Sequence, residues 1–119
     1  MVGIPVRTLD VEGLREWRED PEGLNRAVFA KRKIEETGET VLCWLEDPPG
    51  RFSWVCPGCG GLSGGQLGDE AVSGWEEPRW VNSGTRERPT LTPSLGCPGW
   101  RNGFCSGHYW LRDGELIQA

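Results

Sequence analysis

The chain has 119 residues, enough for one domain or for a small domain with a helical appendage. An apolar share of 36% leaves little core material per residue, a shortage that seven Trp offset because each indole buries a large area. The formal charge of −5 neutralises phosphates poorly, which sets nucleic acid behind protein as a partner, and no apolar run reaches the roughly 20 residues of a membrane-spanning helix.

Two short helices are expected first. Asp10 is placed to cap a helix from Val11 to about Arg18, with Leu14 and Trp17 on one face. Asp20-Pro21 reads as a cap and first helical position for a second helix, in which Leu24, Ala27, Val28 and Ile34 form the apolar stripe and Gly38 the stop. Residues 1–38 are thus read as an N-terminal helical segment and residues 39–119 as a β domain.

Thr40 to Leu45 has strand composition, and Asp47-Pro48-Pro49-Gly50 signals a turn into Arg51 to Val55, an alternating strand that runs into Cys56. The stretch after Cys59 is rich in glycine, and short extended pieces are expected around Arg79 to Val81 and Thr90 to Leu95. Asp113-Gly114 between His108–Arg112 and Glu115–Ile117 predicts a tight hairpin, because both central turn positions need positive φ. The predicted fold class is α+β: short N-terminal helices followed by a small, metal-stabilised antiparallel β domain.

Five cysteines, an odd number with no secretory leader in Met1 to Asp10, argue against a disulfide framework and for metal binding in a reducing, cytoplasmic compartment. Cys56-Pro57-Gly58-Cys59 has the spacing of a zinc knuckle, and Cys105-Ser106-Gly107-His108 repeats it with the chain's single histidine. Together Cys56, Cys59, Cys105 and His108 would close a four-ligand shell around one Zn²⁺. Cys97, in its own turn, is the rival for either Cys105 or His108, and Cys43 reads as a core thiol. A filled shell leaves zinc little chemistry beyond holding the fold, so no catalytic residue is assigned and binding is favoured over catalysis.

These pieces occur in an order that resembles an uncharacterised family of small phage and prophage proteins, over roughly residues 52–117. The residues carrying the resemblance are Cys56-Pro57-Gly58-Cys59, Trp80-Val81-Asn82-Ser83-Gly84, Pro89-Thr90-Leu91-Thr92-Pro93-Ser94, Cys105 with His108, and Asp113-Gly114. The resemblance implies a compact zinc-closed β domain, found in phage genomes and sometimes beside bacterial defence or ubiquitin-like conjugation genes. It implies no established activity, and it does not extend to the N-terminal helices.

The resulting expectation is a protein-interaction module with a structural zinc, engaging a host or phage protein. A zinc-dependent hydrolase-like accessory enzyme is the alternative, and a nucleic-acid module using Arg79, Arg86, Arg88 and Arg101 a further one, weakened by the interleaved Glu76, Glu77 and Glu87. The block Pro89 to Ser94 reads as an edge laying Leu91 and Leu95 on the core. Trp54 and Trp110 adjoin ligand pairs and would shield them, whereas exposed indoles at Trp75, Trp80 or Trp100 would mark a recognition surface.

Overall fold

Ile4, Val6 and Thr8 alternate along the N-terminus, a β-branched pattern that suits a strand lying between two neighbours. In the computed structural model, which describes residues 3–23, 25–46, 49–73, 77–97, 99 and 103–119, that segment is strand β1 (Ile4–Leu9). It precedes α1 (Val11–Arg18) and α2 (Arg26–Thr37). There follow β2 (Thr40–Glu46), β3 (Pro49–Val55), β4 (Leu62–Leu67), β5 (Arg79–Asn82), β6 (Leu91–Gly96), β7 (His108–Arg112) and β8 (Glu115–Gln118). Trp75, Trp100, Arg101, Leu24 and the Asp47-Pro48 part of the predicted turn lie outside the described residues.

The strands close into a barrel in chain order, with β8 returning to β1. This corrects the α+β expectation of short N-terminal helices followed by a small antiparallel β domain. The chain is mostly β, its first element is a barrel strand, and the helices connect β1 to β2. Those two strands pair in parallel, with Val6 opposite Thr40 and Leu9 opposite Cys43. A parallel pair cannot be joined by a tight turn, and α1 and α2 supply the crossover it needs. A second parallel pair joins β4 to β5, and the remaining neighbours are antiparallel.

Local chemistry explains the helix ends. The Asp10 carboxylate accepts from the Gly13 N–H at 2.6 Å and caps α1. Asp20 instead accepts from the Glu22 and Asn25 N–H groups, making a turn, and it is Asn25 that caps α2 through the Ala27 and Val28 N–H groups. Gly38 ends α2 in the left-handed conformation, at φ +77°.

Period-two alternation then sorts the strand residues. Val6, Leu42, Phe52, Trp54, Trp80, Leu91, Leu95, Tyr109, Leu111 and Leu116 fill the barrel together with Cys56 and Cys97. Val41, Cys43 and Val55 take the other face and meet Leu14, Trp17, Ala30 and Ile34 from the helices. Strand β2 is therefore buried on both sides. Each large apolar side chain in these two clusters stabilises the fold by about 1.5–3 kcal/mol, and Trp17, which bridges helix and sheet, is the loss α1 could least sustain.

The Asp113-Gly114 hairpin has positive φ at both positions, 48° and 77°, as its sequence requires. Arg88 donates to Asp113 from the neighbouring loop, and Arg86 pairs with Glu46. No helix among the described residues is long and apolar enough to cross a membrane.

Candidate functional site

Strand β3 delivers Cys56 to one end of the barrel, where the chain turns back on itself. The Gly60 N–H donates to the Cys56 carbonyl at 2.7 Å and the Cys56 N–H to the Gly61 carbonyl at 2.9 Å, so Cys59 is carried back beside Cys56. Cys97 follows the last residue of β6, and Cys105 lies shortly before the first residue of β7. The Cys97 N–H donates to the Gly107 carbonyl at 2.9 Å, which brings these two strand ends together.

The result is one cluster in which the sulfurs of Cys56, Cys59, Cys97 and Cys105 all lie within 4.8 Å of one another. Tetrahedral thiolate ligation at about 2.3 Å sets sulfurs about 3.8 Å apart, and the Cys56 and Cys105 sulfurs are 3.8 Å apart. Backbone N–H groups point at two of the sulfurs, Gly61 at Cys59 (3.4 Å) and Gly107 at Cys105 (3.3 Å), as thiolate ligands require. Glycine is required at 107, because a Cβ there would press into the Cys56 sulfur and lie 3.1 Å from that of Cys105. The donor set, its spacing and its N–H contacts fit a closed metal site, and the four thiols could hold a metal ion.

The thiols differ in their proton affinity. Burial pushes Cys56 well above the usual thiol range. Burial acts upward on Cys105 as well, but hydrogen bonds from the Gly107 N–H and the neighbouring thiols outweigh it and lower that thiol. Burial first, and then the neighbouring Cys56 and Cys105 charges, raise the Tyr109 hydroxyl well above its usual range. Its ring meets Trp54 edge-on at 6.2 Å, closing the apolar side of the cluster.

His108 stands elsewhere. Its Nε2 is 2.6 Å from the Ser94 hydroxyl oxygen. The strand register explains the meeting. Leu91 pairs with Leu111 and Leu95 with Tyr109, so Thr92, Pro93 and Ser94 all bulge opposite Trp110. The Thr92–Pro93 peptide within the bulge is cis. Beyond it Gly96 pairs with His108, and Ser94 and His108 share the outward face of β6 and β7, half-buried, while Leu95 and Tyr109 point into the core. The backbone at His108 is held as well: its carbonyl accepts from the Ala119 N–H at 2.9 Å and the Gln118 side chain at 3.0 Å.

The structure thus gathers Cys56, Cys59 and Cys105 with Cys97, and brings His108 to Ser94. Sequence reasoning placed Ser94 in an edge strand and assigned it no chemistry. A signal was present: Ser94 precedes Cys97 by the same spacing at which Cys105 precedes His108. Cys43 is a fully buried core thiol, and Trp80 is buried in β5 rather than exposed on a recognition surface.

No curated protein and no solved structure gives a significant match to this sequence. A family model does, over residues 29–119, a span that takes in the four cysteines, Ser94 and His108, and the chain therefore belongs to the family described as bacterial ubiquitination-like system serine protease (BubE).

Proposed function

We propose that this chain is a serine peptidase of a bacterial ubiquitination-like system, with Ser94 as nucleophile, His108 as general base and a structural zinc held by Cys56, Cys59, Cys97 and Cys105. The observation that carries the reading is the 2.6 Å contact between the Ser94 hydroxyl and His108 Nε2, the distance at which an imidazole can take a hydroxyl proton. The description of the family supplies the reaction class and the setting.

The chemistry follows from that contact. With its proton on Nδ1, His108 accepts the Ser94 O–H through Nε2. The Ser94 oxygen attacks the scissile carbonyl, and the proton passes from His108 to the leaving amine. Water, deprotonated by the same imidazole, then releases the acyl group and restores the hydroxyl. The metal takes no part in these steps. Cys56, Cys59, Cys97 and Cys105 would hold it through four thiolates, and it would supply folding free energy at the strand ends that carry Ser94 and His108.

This reading keeps the expected zinc and assigns hydrolysis to serine rather than to an open metal position. It turns the expected host or phage protein partner into the substrate, a protein joined to a ubiquitin-like modifier or a precursor of the modifier itself. A cytoplasmic setting, where thiols stay reduced, belongs to the same proposal.

The test is cleavage of a fusion bearing a ubiquitin-like protein of a bacterial ubiquitination-like system, together with labelling by a fluorophosphonate and peptide mapping of the label. Label on Ser94, and loss of roughly 10³-fold or more in turnover for both Ser94→Ala and His108→Gln, is expected. Full cleavage by Ser94→Ala would sink the proposal.

A further inference from the structure

The bulge that turns Ser94 toward His108 also removes this stretch of β6 from regular pairing with β7, and a nucleophile on an irregular strand must be held by something else. The Ser94 carbonyl accepts from the Trp80 indole N–H at 3.2 Å. Indole nitrogen only donates, so this contact has a fixed direction. The indole itself is tightly held. Trp80 is 8% exposed, and the Phe52 ring meets it edge-on at 5.6 Å with an interplanar angle of 88°. Gly65 lies against both rings, and a Cβ there would come within 2.8 Å of Trp80 Cζ3 and of Phe52 Cε1. The neighbouring strand also pins the bulge at its start, where Val81 pairs with Thr92.

We propose that Trp80 is a positioning residue for the nucleophile: its N–H fixes the Ser94 main chain in the bulge so that the hydroxyl meets His108. The inference rests on the peptidase reading of Ser94 and His108 and deepens it. Filling the barrel needs only an aromatic ring at 80, which Phe would provide. Holding the Ser94 carbonyl needs the N–H, which Phe lacks. A shift of the nucleophile by a fraction of its contact distance costs rate without altering how a ligand reaches the site.

The experiment compares Trp80→Phe with a chain carrying 3-benzothienylalanine at position 80, an isostere that keeps the bicyclic shape and lacks the N–H. The saturable rate of fluorophosphonate labelling is resolved into its maximal rate and its half-saturation concentration, with melting temperature and zinc content measured in parallel. The expected result is a maximal rate lowered about 10- to 100-fold in both variants, with half-saturation and zinc content unchanged. If Trp80→Phe fails to fold, the isostere alone decides. A maximal rate within about twofold of the native chain in the isostere would overturn the proposal, whatever happens to the melting temperature. Ser94→Ala runs alongside. Labelling that persists in Ser94→Ala defeats the peptidase reading itself, whereas an unlabelled Ser94→Ala with a fully reactive isostere defeats only the role given to Trp80.

Discussion

Cys97 donates its backbone N–H to the Gly107 carbonyl at 2.9 Å, and this single bond joins the ends of β6 and β7 between the thiol cluster and the Ser94–His108 contact. The ladder continues directly into the pair Gly96–His108. A metal bound to Cys97 and Cys105 would therefore grip the two strand ends from which Ser94 and His108 project. Chelation is expected to abolish fluorophosphonate labelling of Ser94 along with a large fall in melting temperature. Labelling that survives in a chain shown by native mass spectrometry to be metal-free would separate the two sites.

Ligand identity has its own test. The sulfur of Cys97 lies with those of Cys56, Cys59 and Cys105, whereas His108 Nε2 meets Ser94. Cys97→Ala is expected to lose the metal, and His108→Ala to keep one ion per chain while losing peptidase turnover. The reverse pattern, metal lost from His108→Ala and kept by Cys97→Ala, would restore the ligand set read from spacing alone. Metal content by native mass spectrometry decides it.

Tyr109 is the neighbour through which the barrel core reaches the metal site. Its hydroxyl and the sulfurs of Cys56 and Cys105 border the same space beside Gly58, and its ring meets Trp54 edge-on. Tyr109→Phe keeps the ring and removes the hydroxyl that lies beside those sulfurs, and losing a polar neighbour of this kind is expected to weaken metal binding about 10- to 100-fold. Competition with a chromogenic zinc chelator measures it. An unchanged affinity would mean that the Gly61 and Gly107 N–H groups suffice.

What the sequence disclosed, and what it withheld, follows from how local each signal was. Asp10, Gly38 and Asp113-Gly114 act within a few residues of themselves, and the α1 cap, the α2 stop and the last hairpin stand where those residues put them. Barrel closure is different, since β1 pairs with β2 across two helices and with β8 from the far end of the chain. Nothing near Ile4–Leu9 states those partners, although the alternation of Ile4, Val6 and Thr8 was open to view. The Gly-rich β4 carries few side chains to give it a pattern. The cysteine spacing pointed to a metal cluster, but whether Cys97 or His108 faces it depends on the register of β6 against β7. That register rests on the bulge at Thr92–Ser94, which no spacing rule encodes.

Gly60 shows how the helices enter the site. Its φ is +75°, and its backbone sits so close to α2 that an added Cβ would overlap the Ala27 carbonyl and come within 2.8 Å of the Lys31 nitrogen. The turn that carries Cys59 is thereby seated on the crossover helix, and the N-terminal segment becomes part of the metal site's support. Gly60→Ala would combine left-handed strain of about 1–2 kcal/mol with a backbone clash that only movement of α2 can relieve. The expected outcome is destabilisation of about 3 kcal/mol or more, with weaker metal retention, since Cys59 moves with the turn. Gly50, at φ +86° with open space around it, is the control: Gly50→Ala carries the strain without the clash. Denaturant melts that place the two variants at equal stability would show that the turn and α2 are not mechanically joined.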